Sequence, residues 1–191
     1  HTIAFGRGPP AVSQPRDLRR SSMSTYDHPP RLMIPGPIDL ADDVLEALRG
    51  PVIPHYGDAW VHRYSAVRRN LLAIAESEGD ALVLVGSGTV GIDAAIGSSV
   101  ATGGSVIVVD NGFFSGRQQA IAEGYGVTVH ALVTERGRPV TPDELRTFIR
   151  EHPDARVVVL SYCETATGVL NDLEELSAVV SEEHGLLIID A

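Results

Sequence analysis

Residues 82–97, Leu82-Val83-Leu84-Val85-Gly86-Ser87-Gly88-Thr89-Val90-Gly91-Ile92-Asp93-Ala94-Ala95-Ile96-Gly97, decide the fold. The apolar, branched run 82–85 predicts a buried strand, Gly86-Ser87-Gly88-Thr89 a tight loop, and the small-residue stretch 90–97 a helix beginning there. A strand, a glycine loop and a helix N-terminus together offer an anion site, because the first N–H groups of a helix lack intrahelical partners and the peptide dipoles favour negative charge at that end. Gly86 and Gly88 let the backbone approach the anion, while Ser87 and Thr89 can cap the helix or donate to a phosphate. An ordinary capped turn between strand and helix would use the same residues. The stretch has neither the G-x-x-x-x-G-K-[ST] nor the G-x-G-x-x-G pattern, so a nucleotide is not its first expected ligand.

Downstream the pattern repeats. Strands are predicted at 105–109, 127–133, 157–161 and 186–189, with helices at 115–123, 142–151 and 173–184 between them. Thr141-Pro142-Asp143-Glu144 is an N-cap with proline at the first helical position. Alternation of this kind predicts an α/β fold with a mostly parallel sheet and helices on both faces. Ligands then bind beyond the carboxyl ends of the strands. Four segments stand there: 87–89, 111–114, 164–168 and Asp190. Ser87, Gly88 and Thr89 suit a phosphate, Phe114 offers an aromatic face, Thr165 a hydroxyl and Asp190 a carboxylate ending a strand. A flat phosphorylated heteroaromatic ring uses all of them, and a carboxylate facing its nitrogen keeps that nitrogen protonated.

Upstream, residues 1–22 are arginine-rich and aperiodic, with Asp17 their single acid, and are expected to be a disordered or non-native leader, the true start being Met23. Residues 23–64 are expected to form an arm, a short helix within 38–48 and an aromatic-rich irregular segment, and 65–191 a cofactor-binding domain incomplete at its C-terminus. Helix 64–75 should turn Val67, Leu71, Leu72 and Ile74 inward. His55 and His62 have no Cys, Asp or Glu at a recognisable ligand spacing, and no metal is expected. The formal charge of −10 argues against nucleic acid and anionic membrane as partners, and no apolar run approaches a membrane span. The lone cysteine, Cys163, fits a cytoplasmic protein. All 15 basic residues are arginine, so these 191 residues contain no lysine amine.

Residues 32–37, Gly86-Ser87-Gly88-Thr89, Asn111-Gly112, Glu164-Thr165-Ala166-Thr167-Gly168-Val169-Leu170 and Ile188-Ile189-Asp190 resemble, in order and spacing, the class V pyridoxal-phosphate aminotransferases. The nearest likeness is to the alanine–glyoxylate, serine–pyruvate and 2-aminoethylphosphonate–pyruvate transaminases. The resemblance implies the large domain of a type I pyridoxal-phosphate fold, and a homodimer with its site at the subunit boundary, near 55–64. It also implies that Ser87, Gly88 and Thr89 hold the cofactor phosphate, Phe114 stacks on the ring, Thr165 bonds the ring 3-oxygen, Asp190 pairs with the ring nitrogen, and Gly36 lies near the substrate. In the family the Schiff-base lysine comes roughly twenty-odd residues after that aspartate; it would fall beyond Ala191, so this stretch is expected to be a truncated, inactive portion. Another branch of the fold, a lyase or cysteine desulfurase, and a degenerate non-catalytic module are the alternatives.

Overall fold

A strand is stable only where its backbone groups find a second row of donors and acceptors, and four segments here do so in parallel. The computed structural model describes residues 31–191, so the leader 1–22 and the start at Met23 lie outside the described residues. The chain divides into two compact units, one ending at Pro51 and one beginning at Val52.

In the first unit, α1 (Asp42–Leu48) carries Asp42 and Asp43 in its first turn, where the helix dipole favours them. Its apolar residues Val44, Leu45 and Leu48 are exposed. The helix expected within 38–48 starts at Asp42, so Leu40 precedes it.

The second unit opens with α2 (Asp58–Ile74). Trp60, His62 and Tyr64, expected in an irregular stretch, lie on this helix, with the Trp60 and Tyr64 rings stacked 5.9 Å apart. The inward face predicted for it is not buried: Val67 and Leu71 are exposed, and Ile74 is 80% exposed. Helical periodicity fixes which face is apolar; it does not supply a surface to cover that face. The predicted strand 82–85 is likewise corrected. These residues form no strand, and Val85 is fully exposed. Branched side chains give the run its β tendency, but it pairs with no strand among the described residues.

From there the helices and strands follow the sequence reading closely: α3 (Gly88–Ser99), β1 (Ser105–Asp110), α4 (Phe113–Gly124), β2 (Thr128–Val133), α5 (Pro142–Glu151) and β3 (Val157–Ser161). A short antiparallel hairpin, β4 (Cys163–Glu164) and β5 (Val169–Leu170), precedes α6 (Leu173–Glu182) and β6 (Leu186–Asp190). The last helix stops two residues before its predicted end; His184 takes a left-handed φ of 55° and Gly185 follows.

The four-stranded sheet is parallel, in the order β2-β1-β3-β6. Side chains alternate across it. Ile107, Val109, Val158 and Leu160 pack with Leu145 and Ile149 of α5 and Leu176, Val179 and Val180 of α6. Val106, Val108, Val157, Val159 and Ile188 pack on the other face with Ile92 and Ile96 of α3 and Ala122 of α4. Chain order runs outward in one direction from β1 to β2 and in the other from β3 to β6. The carboxyl ends of β1 and β3 therefore flank the point where the order reverses, the place where open α/β sheets bind ligands.

Candidate active site

Beyond those strand ends, Thr89, Ile92, Phe114, Arg117, Gln118, Ile121 and Asp190 line one narrow cleft. Three residues expected from sequence, Thr89, Phe114 and Asp190, thus meet, although they are brought by α3, α4 and β6. Thr89 sits in the first turn of α3, whose N-cap Ser87 makes no side-chain capping bond. The Val90 N–H donates to Ser87 O at 2.9 Å, which leaves the Gly88 and Thr89 N–H groups for an anion. A Cβ at Gly86 would meet Val90 Cγ2 at 2.7 Å, so glycine lets the loop fold tightly onto the helix it starts.

Asp190 ends β6 on the same face as Ile188 and is half-buried. The Gln118 amide nitrogen donates to Ser161 Oγ at 2.9 Å and stands 3.4 Å from Asp190 Oδ2. Gln118 is 2% exposed, and its Oε1 has no partner among the described residues. A buried acceptor without a donor is open to a water or to a polar ligand group. Arg117 and Gln118 were not expected from sequence. Both follow from the helical repeat, since Phe114, Arg117, Gln118 and Ile121 lie at i, i+3, i+4 and i+7 on one face of α4.

The start of α4 is built by charge and by close approach. The Asp110 carboxylate accepts from Ser115 Oγ at 2.9 Å and from the Gln119 amide at 2.8 Å, and Ser115 Oγ accepts from the Gly112 N–H at 3.1 Å. Glu164, fully buried, accepts the Phe114 N–H on Oε2 and the Ala166 N–H on Oε1, each at 3.0 Å. It ties the first turn of α4 to the loop of the β4–β5 hairpin. A Cβ on Gly112 would collide with the Glu164 side chain, so glycine is what admits the carboxylate.

Thr165 lies exposed in that hairpin loop and is not among the residues lining the cleft. Ser87 and Gly88 are exposed at the α3 start. Gly36 belongs to the first unit, where a Cβ would meet nothing within 4 Å. The arrangement in the second unit can bind an anion at α3, lay a flat ring against Phe114 and offer that ring a carboxylate from Asp190.

The profile of the family described as Aminotransferase class-V matches residues 44–191. The chain is 32% identical over 164 residues to the "Soluble hydrogenase 42 kDa subunit" of Anabaena cylindrica, covering 84% of this chain and 43% of that protein. It is 33% identical over 175 residues to a 2-aminoethylphosphonate–pyruvate transaminase of Pseudomonas aeruginosa, covering 88% and 46%. Among solved structures, the alanine–glyoxylate aminotransferase of Nostoc sp. matches with a TM-score of 0.80 at 26% identity, over 93% of this chain and 47% of that one. The chain belongs to the class V aminotransferases, which depend on pyridoxal phosphate, and its fold is the type I fold of that group. It spans less than half the length of the relatives it matches. Among the described residues no helix is long and apolar enough to cross a membrane.

Proposed function

We propose that this chain is part of a pyridoxal-phosphate transaminase that moves an amino group from a small amino acid, such as alanine or serine, to a 2-oxo acid, glyoxylate or pyruvate. The observation that carries this reading is the convergence of Thr89, Phe114 and Asp190 on one cleft with the unpartnered Gln118 Oε1. The residues suit the cofactor: a helix start without a side-chain cap for its phosphate, an aromatic face for its ring, and a carboxylate for its ring nitrogen toward which the Gln118 amide nitrogen is turned. The activities named for the relatives, on pyruvate and on glyoxylate, support the acceptor class.

In this reading Ser87, Gly88 and Thr89 hold the phosphate through N–H and hydroxyl groups. Phe114 covers one face of the ring and excludes water from it. Asp190 holds the ring nitrogen's proton, and Gln118, bonded to Ser161, fixes the carboxylate's orientation. Thr165 bonds the ring 3-oxygen, and Gly36 leaves room for the substrate. When bound, the cofactor supplies an electron sink for the carbon that loses its proton. The amine that moves that proton in the family is a lysine, and these 191 residues contain none, so we expect no turnover from them alone. A homodimer, with residues 55–64 at the subunit boundary, completes the proposal; Tyr56 is 71% exposed there.

The test is a titration of the purified chain with pyridoxal phosphate, followed by cofactor absorbance and quenching of Trp60, beside Asp190→Ala. Saturable binding weakened about tenfold or more in the variant is the expected result, the loss of a hydrogen-bonded charge being about 1.5–3 kcal/mol. Binding of equal strength in both proteins would remove Asp190 from the site. Turnover above that of free cofactor would overturn the expected inactivity.

A further inference from the structure

At the opposite end of the sheet from the cleft, three side chains meet that the transaminase reading leaves unused. His130 is the third residue of β2, His152 ends α5 as its C-cap, and Asp154 lies in the loop leading to β3. One ligand atom from each lies within 4.8 Å of the others. His130 Nε2 is 3.3 Å from Asp154 Oδ2. The two imidazoles lie face to face, with centroids 4.0 Å apart and planes 24° apart. Both rings are half-buried and Asp154 is exposed, so the cluster is partly sheltered and still open to an entering ion.

The surroundings hold the three groups in place. Ser105, the first residue of β1, donates its hydroxyl to Asp154 Oδ2. The Phe148 ring packs against His152 with centroids 4.5 Å apart, fixing the plane of that ring. Two imidazoles and one carboxylate are the donor set of a borderline divalent ion, whereas magnesium and calcium ask for oxygen alone. A tetrahedral ion with bonds of about 2.0–2.2 Å wants its ligand atoms roughly 3.5 Å apart with each lone pair aimed at the ion, so binding requires the cluster to close by about 1 Å and one imidazole to turn out of the stack.

We propose that His130, His152 and Asp154 bind a divalent transition-type ion, Zn2+ being the representative, with water in the open position. The ion would fasten the edge strand β2 to the end of α5 and to the loop entering β3. Three protein ligands and a solvent position bind without a dedicated cage, and because imidazole must be unprotonated to ligate, affinity falls as the medium is acidified.

The experiment titrates the metal-free 191-residue chain with Zn2+ alone, by calorimetry and by thermal melting, with Mg2+ in parallel. One equivalent should bind, Tm should keep rising with Zn2+ concentration above Kd and stay unmoved by Mg2+, and His130→Asn, His152→Asn and Asp154→Asn should each weaken binding by about tenfold or more. Asp154→Asn is the deciding variant, because the position is exposed and the replacement nearly isosteric. Its melt without metal should stay cooperative even if an imidazole variant unfolds. Absence of saturable Zn2+ binding, or binding of undiminished strength in Asp154→Asn, would overturn the proposal; the second result would place the ion on other ligands, Cys163 or His184 among them.

Discussion

At Gly112 the hydrogen of glycine decides whether Glu164 can be buried at all, because any Cβ there would overlap the carboxylate. Gly112→Ala is therefore expected to cost about 1–3 kcal/mol, the usual range for overpacking, read as a fall in the urea midpoint. At Gly116, four positions along on the exposed side of α4, a Cβ would meet nothing within 4 Å, and Gly116→Ala should raise stability by about 0.5–1 kcal/mol. Opposite signs from two alanines at the start of one helix would separate close approach from helix propensity. Glu164→Gln tests the carboxylate itself: an amide accepts one of the two N–H groups and turns an NH2 toward the other, for a loss of about 1–3 kcal/mol. Of the site residues, Thr89, Phe114 and Asp190 were legible in the sequence because they stand at predicted strand ends. Glu164 was legible only as a family motif, since nothing in its neighbours announces a buried carboxylate. Gln118 lay hidden because its meaning depends on Ser161 and Asp190, 43 and 72 residues away.

Among the elements, α5 was the most completely legible. Thr141 Oγ1 accepts the Glu144 N–H and Glu144 returns a bond to the Thr141 N–H, as the sequence pattern requires. Arg138 adds a two-armed contact to Glu144 at 2.9 and 2.7 Å. The Arg138 guanidinium, then the Thr141 N–H and hydroxyl, pull the Glu144 carboxyl down from 4.5 to about 2. A carboxylate depressed in the folded state adds stability above its unfolded value and loses it as pH falls through its folded value. The melting-temperature gap between the native chain and Glu144→Gln should therefore be full near pH 6 and close between pH 4.5 and about 2. The Glu144 side chain is 39% exposed and screened by solvent, so the gap corresponds to no more than about 1 kcal/mol. The run 82–85 marks the limit of the same reasoning. Its branched side chains speak for a strand as clearly as those of 157–161, yet only the latter has neighbours on both sides, β1 and β6. Propensity is local, while pairing depends on chain that is distant in sequence.

For the whole molecule, the parallel sheet and its two helical layers followed from alternation of elements, while strand order did not, because no residue in β1 states that it will lie between β2 and β3. The two apolar layers are where stability is concentrated: Leu160→Ala, in a fully buried position, should cost about 2–5 kcal/mol, whereas Val85→Ser, at a fully exposed one, should change stability by under about 0.5 kcal/mol. Leu82, Val83, Leu84 and Val85 are exposed together, and so are Leu186 and Ile189 on the edge strand β6. Contiguous apolar surface and an open strand edge favour association. At tens of micromolar the chain should self-associate, and light scattering that finds a monodisperse monomer would contradict this. The strand order has one further consequence, for synthesis. β1 leaves the ribosome before every other strand of the sheet; β2 and β3 then each meet β1 already made, and β6 meets β3. After β1, each of these strands finds its partner already made and none has to be threaded between two others, so this part of the sheet can accrete from its centre outward at the pace of translation.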